Sequence, residues 1–178
     1  MAIPFTYVFM YLLGGALRSD YSHIRNSVSE LLSPGAPNKL LLTAIQVCYA
    51  LLHIMFGMGV LWFIKGLEGS SMIGQFGAWL IIALGLVTFG TVIFPQDADG
   101  TPATIAGQVH KVLVFGGLVP FSILSTLFLG LWFRQAGFFP GFDVYSFITV
   151  GAVLAMGVVG GAAVESRVAG LVERLAAL

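Results

Sequence analysis

Three groups of side chains in this sequence have the types and the spacing to do chemistry. The first lies in residues 20–35, which read DYSHIRNSVSELLSPG. His23, Ser27 and Glu30 recur at i, i+4 and i+7, the spacing of one helical edge. Ser27-x-x-Glu30 is a capping-box spacing, in which each side chain takes the other's backbone N–H. Asp20 is a candidate N-cap and Ser33-Pro34-Gly35 a stop. Ile24, Val28, Leu31 and Leu32 form an apolar stripe beside the polar one. The segment is expected to be a short interfacial helix presenting His, Ser and Glu along one edge. The competing reading is that these groups only face water and cap the helix, as polar residues on helix surfaces commonly do.

The second group lies in residues 95–111, PQDADGTPATIAGQVHK. Asp97-Ala98-Asp99-Gly100 echoes the start of a calcium loop, but the third ligand position, the following Gly and the distal Glu are missing. Thr101-Pro102 is expected to open a helix, with Thr as N-cap and Pro at the first helical position. His110 then stands about two turns in. A His there can serve as metal ligand, acid or base, or phosphate donor, or it can bond an interfacial water. The third group is Glu173-Arg174 near the end of the chain, where an Arg can bind lipid phosphates.

Several sets can be drawn from these residues. Arg25, His110, Lys111 and Arg174 offer cationic donors, which Glu30 and Asp97 can orient or from which they can accept protons. Ser29 with His110 has the types of a nucleophile and its base. His23, His110 and Asp97 have the types of metal ligands. No G-x-S-x-G, H-E-x-x-H or lipid-phosphatase signature accompanies them, and neither a metal nor a cofactor is expected. Within the apolar stretches, Gln46 and His53 stand seven residues apart. An intramembrane His is a functional candidate; a neutral His bonded to a neighbouring helix is the simpler reading. A bis-His haem between His53 and His110 fails on depth.

The elements that must position these residues follow from composition. Of 178 residues 58% are hydrophobic and 9% charged, against about 25% charged in a soluble domain. That excludes a soluble globule and a disordered chain. Eight basic and eight acidic residues sum to zero, which argues against a nucleic-acid partner. The single Cys48 can form no internal disulfide. Lipid is the solvent, and membrane lipids are the expected partners.

Crossing a bilayer takes about 20 apolar residues, and unbroken apolar runs favour helices over barrel strands. The fold class is all-α: one transmembrane helical bundle with spans near 3–17, 40–64, 72–94, 110–133 and 144–164. It is a multi-pass protein of the cell membrane. Span 3–17 is short, yet no basic n-region precedes it and no A-x-A-like site follows, so it reads as a first span. Pro120 removes one helix hydrogen bond and is expected to kink its span near Gly116. Small residues at packing spacing, Gly74 with Ala78, Gly151 with Ala155 and Gly157 with Gly161, suit close helix contact and offer a route to a homo-oligomer. Pro120, Gln46 and His53 also motivate a small-solute transporter, against which stand uncharged spans and no inverted repeat.

Five spans divide the polar segments between two faces. One face receives segments 18–39, 95–111 and 165–178, and the other keeps only Lys65, Glu68, Arg134 and Asp143 of the charged residues. Glu165 and Arg167 sit where the last span leaves the bilayer. The Lys/Arg excess places the charged face in the cytoplasm, and long connections are where function gathers.

Ser29-Glu30-Leu31 after a first span resembles the "SEL" signature of the prokaryotic membrane family called domain-of-unknown-function family 998. Phe94-Pro95-Gln96-Asp97 resembles its "FPxD" element, His110 matches the His at the head of the next span, and Gly170-Leu171-Val172-Glu173-Arg174 resembles its "GLxxR" element. The likeness runs through nearly the whole chain in order. The family pattern has six spans, the last after Arg174; the five expected here fit either a sequence trimmed at both ends or a member that works with five. The resemblance implies a polytopic fold with a polar site on one face, and no particular reaction.

Overall fold

Apolar runs in hydrocarbon must satisfy their backbone internally, and helices do so within one segment. The computed structural model describes residues 2–137, 139–163 and 168–177; it is helical, with no strand among them. The helices are α1 (Ala2–Ala16), α2 (Lys39–Lys65), α3 (Met72–Ile93), α4 (Ile105–Leu113), α5 (Val119–Ala136), α6 (Phe142–Ala163) and α7 (Ala169–Ala177). Lys39–Lys65, Met72–Ile93 and the continuous column Ile105–Ala136 are long and apolar enough to cross a membrane. Ala2–Ala16 and the apolar stretch Phe142–Val158 are shorter. Leu40 is 86% exposed, Trp62 81% and Ile105 80%. Apolar surface this bare needs lipid or a partner to cover it.

Neighbours in sequence are neighbours in space. α2 lies between α1 and α3, α3 against α5, α5 against α6, and α6 against α7. The α2–α3 seam is tight at two glycines. A Cβ on Gly57 would meet the Ile82 nitrogen at 2.9 Å, and one on Gly85 would meet the Ala50 carbonyl at 2.8 Å. Of the small residues marked in the sequence, Gly74 lies against Trp132, and Ala78 is buried with Leu61 and Ile82. Gly151 and Gly157 have open space where a Cβ would stand, so they pack against no helix among the described residues. Pro120 is preceded by a π-helical segment, Val114–Leu118. The widened turn absorbs the missing N–H.

Two local expectations are corrected. No interfacial helix forms between α1 and α2; the segment is a run of turns with one 3-10 turn at Ser29–Leu32. Its polar side chains take the backbone donors that a helix would use. Asn26 Oδ1 accepts from the Ser22 N–H at 2.8 Å, and Glu30 Oε1 from the Ser27 N–H at 2.8 Å. The Glu30 N–H donates to Ser27 Oγ at 3.3 Å. The capping box therefore exists but heads a single turn, and the His23–Ser27–Glu30 edge does not form. Val28 and Leu31 still bury, with Met10 and Leu42, while Ile24 is exposed.

The second correction is the start of α4. Its cap is Thr104, three residues beyond Thr101, and Thr104 Oγ1 accepts from the Gly107 N–H at 3.1 Å. Asp97 selects the later start: its carboxylate accepts from the Thr104 N–H at 3.0 Å and from the Thr104 hydroxyl at 2.6 Å. Gly107 lacks the Cβ that would overlap the Asp97 carboxylate.

Candidate polar site

The connection after α1, the start of α4 and helix α7 meet at one end of the bundle. α7 is tied down along its length. The Leu171 N–H donates to the Ile24 carbonyl at 3.0 Å, and Gly170 has no Cβ to overlap the Asn26 carbonyl. Glu173 Oε2 accepts from the Val28 N–H at 3.0 Å. Arg174 is 5% exposed. Its Nη1 donates to the carbonyls of His23 (2.6 Å), Asn26 (3.1 Å) and Gly170 (2.6 Å), and its Nη2 donates to Tyr21 Oη. The guanidinium lies 5.2 Å from the Tyr11 ring centroid and 5.6 Å from that of Tyr21, close enough for cation–π attraction. Buried cations need this density of partners.

Glu30 is similarly engaged. Oε1 holds the Ser27 N–H, Oε2 accepts from Asn26 Nδ2 at 2.7 Å, and the Glu30 carbonyl accepts from the Ser33 hydroxyl at 2.8 Å. Glu30 and Arg174 thus work on the same loop from two sides: one shapes it, the other fastens it. Ser29, next to Glu30, faces His110 of α4. His110 is 6% exposed, with Nδ1 2.9 Å from the Phe94 carbonyl and Nε2 3.3 Å from Ser29 Oγ. A carbonyl can only accept, so in the neutral ring the proton sits on Nδ1 and Nε2 is free to accept from Ser29.

The remaining candidates separate. Arg25 and Lys111 are exposed, and among the described residues neither side chain makes a hydrogen bond or an ion pair. Asp97 bonds Thr104 instead of His110. His23 stacks edge-on against Tyr11 and Tyr21, at 5.9 and 5.3 Å. His53 bonds the Tyr49 carbonyl one turn back in its own helix, at 3.0 Å, not a neighbouring helix. A run of ring contacts, by way of Tyr49, Tyr7 and Tyr11, connects it to the site. No group of three His, Cys, Asp or Glu side chains that could hold a metal ion occurs among the described residues, so His23, His110 and Asp97 do not form a metal set. Glu165 and Arg167 lie outside the described residues.

Sequence reasoning gave no role to Tyr21, Asn26 or Phe94, although Phe94 opens the FPxD-like element. The first two stand within the marked segment, and Tyr7 and Tyr11 at i, i+4 were the available sign of an aromatic wall. Phe94 acts through its carbonyl, which no side-chain pattern reveals.

Burial and neighbours set the ionisation. Thr104, by its hydroxyl and then its N–H, holds Asp97 below the ordinary carboxylate value. Burial pushes Tyr21 up to about 12. His23 is lowered by burial and then by Arg174. Glu173 is raised, by burial first, although the Val28 N–H and Arg174 pull the other way. A carboxyl raised on folding contributes stability below its ordinary value of 4.5 and loses it as pH climbs through the raised value. The Glu173→Gln variant should therefore melt higher than wild type at alkaline pH, with the gap closing as pH falls toward 4.5. Melting curves of both proteins across pH in one detergent check this; a gap independent of pH would contradict it.

A family model described as "Protein of unknown function (DUF998)" matches residues 1–178. No curated protein and no solved structure matches the chain. With the match running from the first residue to the last, the chain belongs to the DUF998 family.

Proposed function

We propose that this is a multi-pass protein of the cell membrane, with five spans in this chain, whose charged face, on the cytoplasmic side, binds the head group of an anionic lipid. One observation carries the reading. Arg174, Glu30 and Glu173 are occupied within the protein, while the exposed Arg25 and Lys111 side chains make no hydrogen bond or ion pair among the described residues. Arg25 precedes Ser29 by four residues, and Lys111 follows His110 directly. In sequence, these two exposed cations thus flank the residues that join the two segments. An exposed cation near an anionic surface contributes about 1 kcal/mol, or roughly fivefold in affinity.

The test is lipid retention. Wild type purified through mild detergent should carry phosphatidylglycerol in preference to phosphatidylcholine, counted by mass spectrometry. Arg25→Ala with Lys111→Ala should weaken that preference by an order of magnitude or more, on roughly fivefold per cation, with the melting temperature unchanged. Equal retention by wild type and the double variant would overturn the reading.

A further inference from the structure

We propose that Ser29 is a nucleophile toward carboxylic esters of amphiphiles, with His110 as its base. The proposal deepens the head-group reading and rests on it for the class of substrate. Its geometric core is independent: the Phe94 carbonyl fixes the His110 proton on Nδ1, which turns the Nε2 lone pair toward Ser29 Oγ at 3.3 Å. A nucleophile in reach of a base, with the base oriented by a third group, is the arrangement that activates a serine.

Other serines serve their own segments. Ser33, Ser122, Ser125 and Ser146 each donate to a carbonyl three or four residues back. Ser29 instead meets a His 81 residues away in sequence. Ser29 is half-buried while His110 is buried, so the base is the more shielded of the two. Ser29 also starts a turn whose shape is fixed by the Ser27–Glu30 exchange and fastened by Arg174. Exposed apolar side chains on the same two segments, Ile24, Ile105 and Val112, suit an ester whose chain lies in lipid and whose carbonyl sits at the interface. Arg25 and Lys111 would hold the phosphate of its head group.

The step balances without a redox partner. Ser29 Oγ forms a bond to the carbonyl carbon, the carbonyl π pair moves onto its oxygen, and the hydroxyl proton passes to His110 Nε2. As the carbonyl reforms, the bond to the alcohol oxygen breaks, and that oxygen leaves with the proton from Nε2. Water then attacks the acyl-Ser29 ester, giving up its proton through the same nitrogen. Ester and water become acid and alcohol, and Ser29 is restored.

The experiment uses the full chain in phosphatidylglycerol nanodiscs and a fluorophosphonate probe, read by peptide mass mapping. One adduct on Ser29 is expected, none on that peptide in Ser29→Ala, and labelling slowed about 100-fold in His110→Gln. In wild type the rate should rise with pH along a single ionisation that His110→Gln abolishes. No adduct on Ser29, or equal rates in wild type and His110→Gln, would overturn the proposal. The probe carries no head group, so the two readings fail separately. Labelling with no lipid preference leaves the nucleophile standing and removes the head-group site, and lipid preference with no labelling does the reverse.

Discussion

Replacing Arg174 with methionine will lower the melting temperature by roughly 10 °C, and lysine at the same position will not restore it. Arg174 donates to three backbone carbonyls and a tyrosine hydroxyl from a site 5% exposed. Methionine keeps much of the volume and removes every donor. The carbonyls of His23, Asn26 and Gly170 are then left short of partners, and an unsatisfied buried group costs about 1–3 kcal/mol. A buried charge network that loses one member typically loses about 3–5 kcal/mol. For a chain this long, each kcal/mol moves the midpoint about 2–4 °C. Lysine restores the charge but not the planar fork, which reaches Tyr21 with one nitrogen and the carbonyls with another. A fall of less than a few degrees for methionine, or full rescue by lysine, would contradict this role.

Glu30→Gln is expected to cost about 2–3 kcal/mol, because a carboxylate that receives two donors is replaced by a group that is half donor. Either the Ser27 N–H or Asn26 Nδ2 then faces an NH2. The adjacent Ser29 loses its fixed turn, so fluorophosphonate labelling should slow together with the fall in melting temperature. Asp20→Asn is the contrast. Asp20 pairs with Arg18 at 3.0 Å, but its side chain is 69% exposed and the pair is screened by water, so the change should leave the melting temperature almost unmoved. Comparable destabilisation by the two variants would mean that Glu30 is only a surface acid.

The difference between these carboxylates shows what the sequence could and could not say. Apolar runs were legible as helices because lipid leaves the backbone no alternative. The run 72–94 became Met72–Ile93 and the run 40–64 became Lys39–Lys65. The Ser27–Glu30 capping box was legible as well, since it is a local exchange with a fixed spacing. Its reach was not: Asn26 and Glu30 take enough backbone donors that the helix ends after one turn. Thr101-Pro102 was a sound helix start overridden by Asp97, whose two bonds move the cap to Thr104.

The site was legible in its members more than in their roles. Ser29, Glu30, His110, Glu173 and Arg174 do gather at one end. Arg174 looked like a hand extended to a ligand, but apart from the Tyr21 hydroxyl its partners are main-chain carbonyls, which carry no sequence signature. Glu30 likewise turns inward. With those two spoken for, Arg25 and Lys111 are among the exposed cations of the described residues, a distinction that needs coordinates.

The claim at the centre is that α7 locks residues 21–32 into shape through Glu173 and Arg174, so that Ser29 meets His110. Hydrogen exchange in nanodiscs tests it most directly, because exchange reports local opening segment by segment. The Val28 and Leu171 amides, bonded to Glu173 and to the Ile24 carbonyl, should be protected in wild type. In Arg174→Met, both should exchange freely together with the rest of 21–32, while α2 and α3 keep their protection. Rapid exchange of Val28 and Leu171 in wild type, or protection that survives the loss of Arg174, would contradict the account.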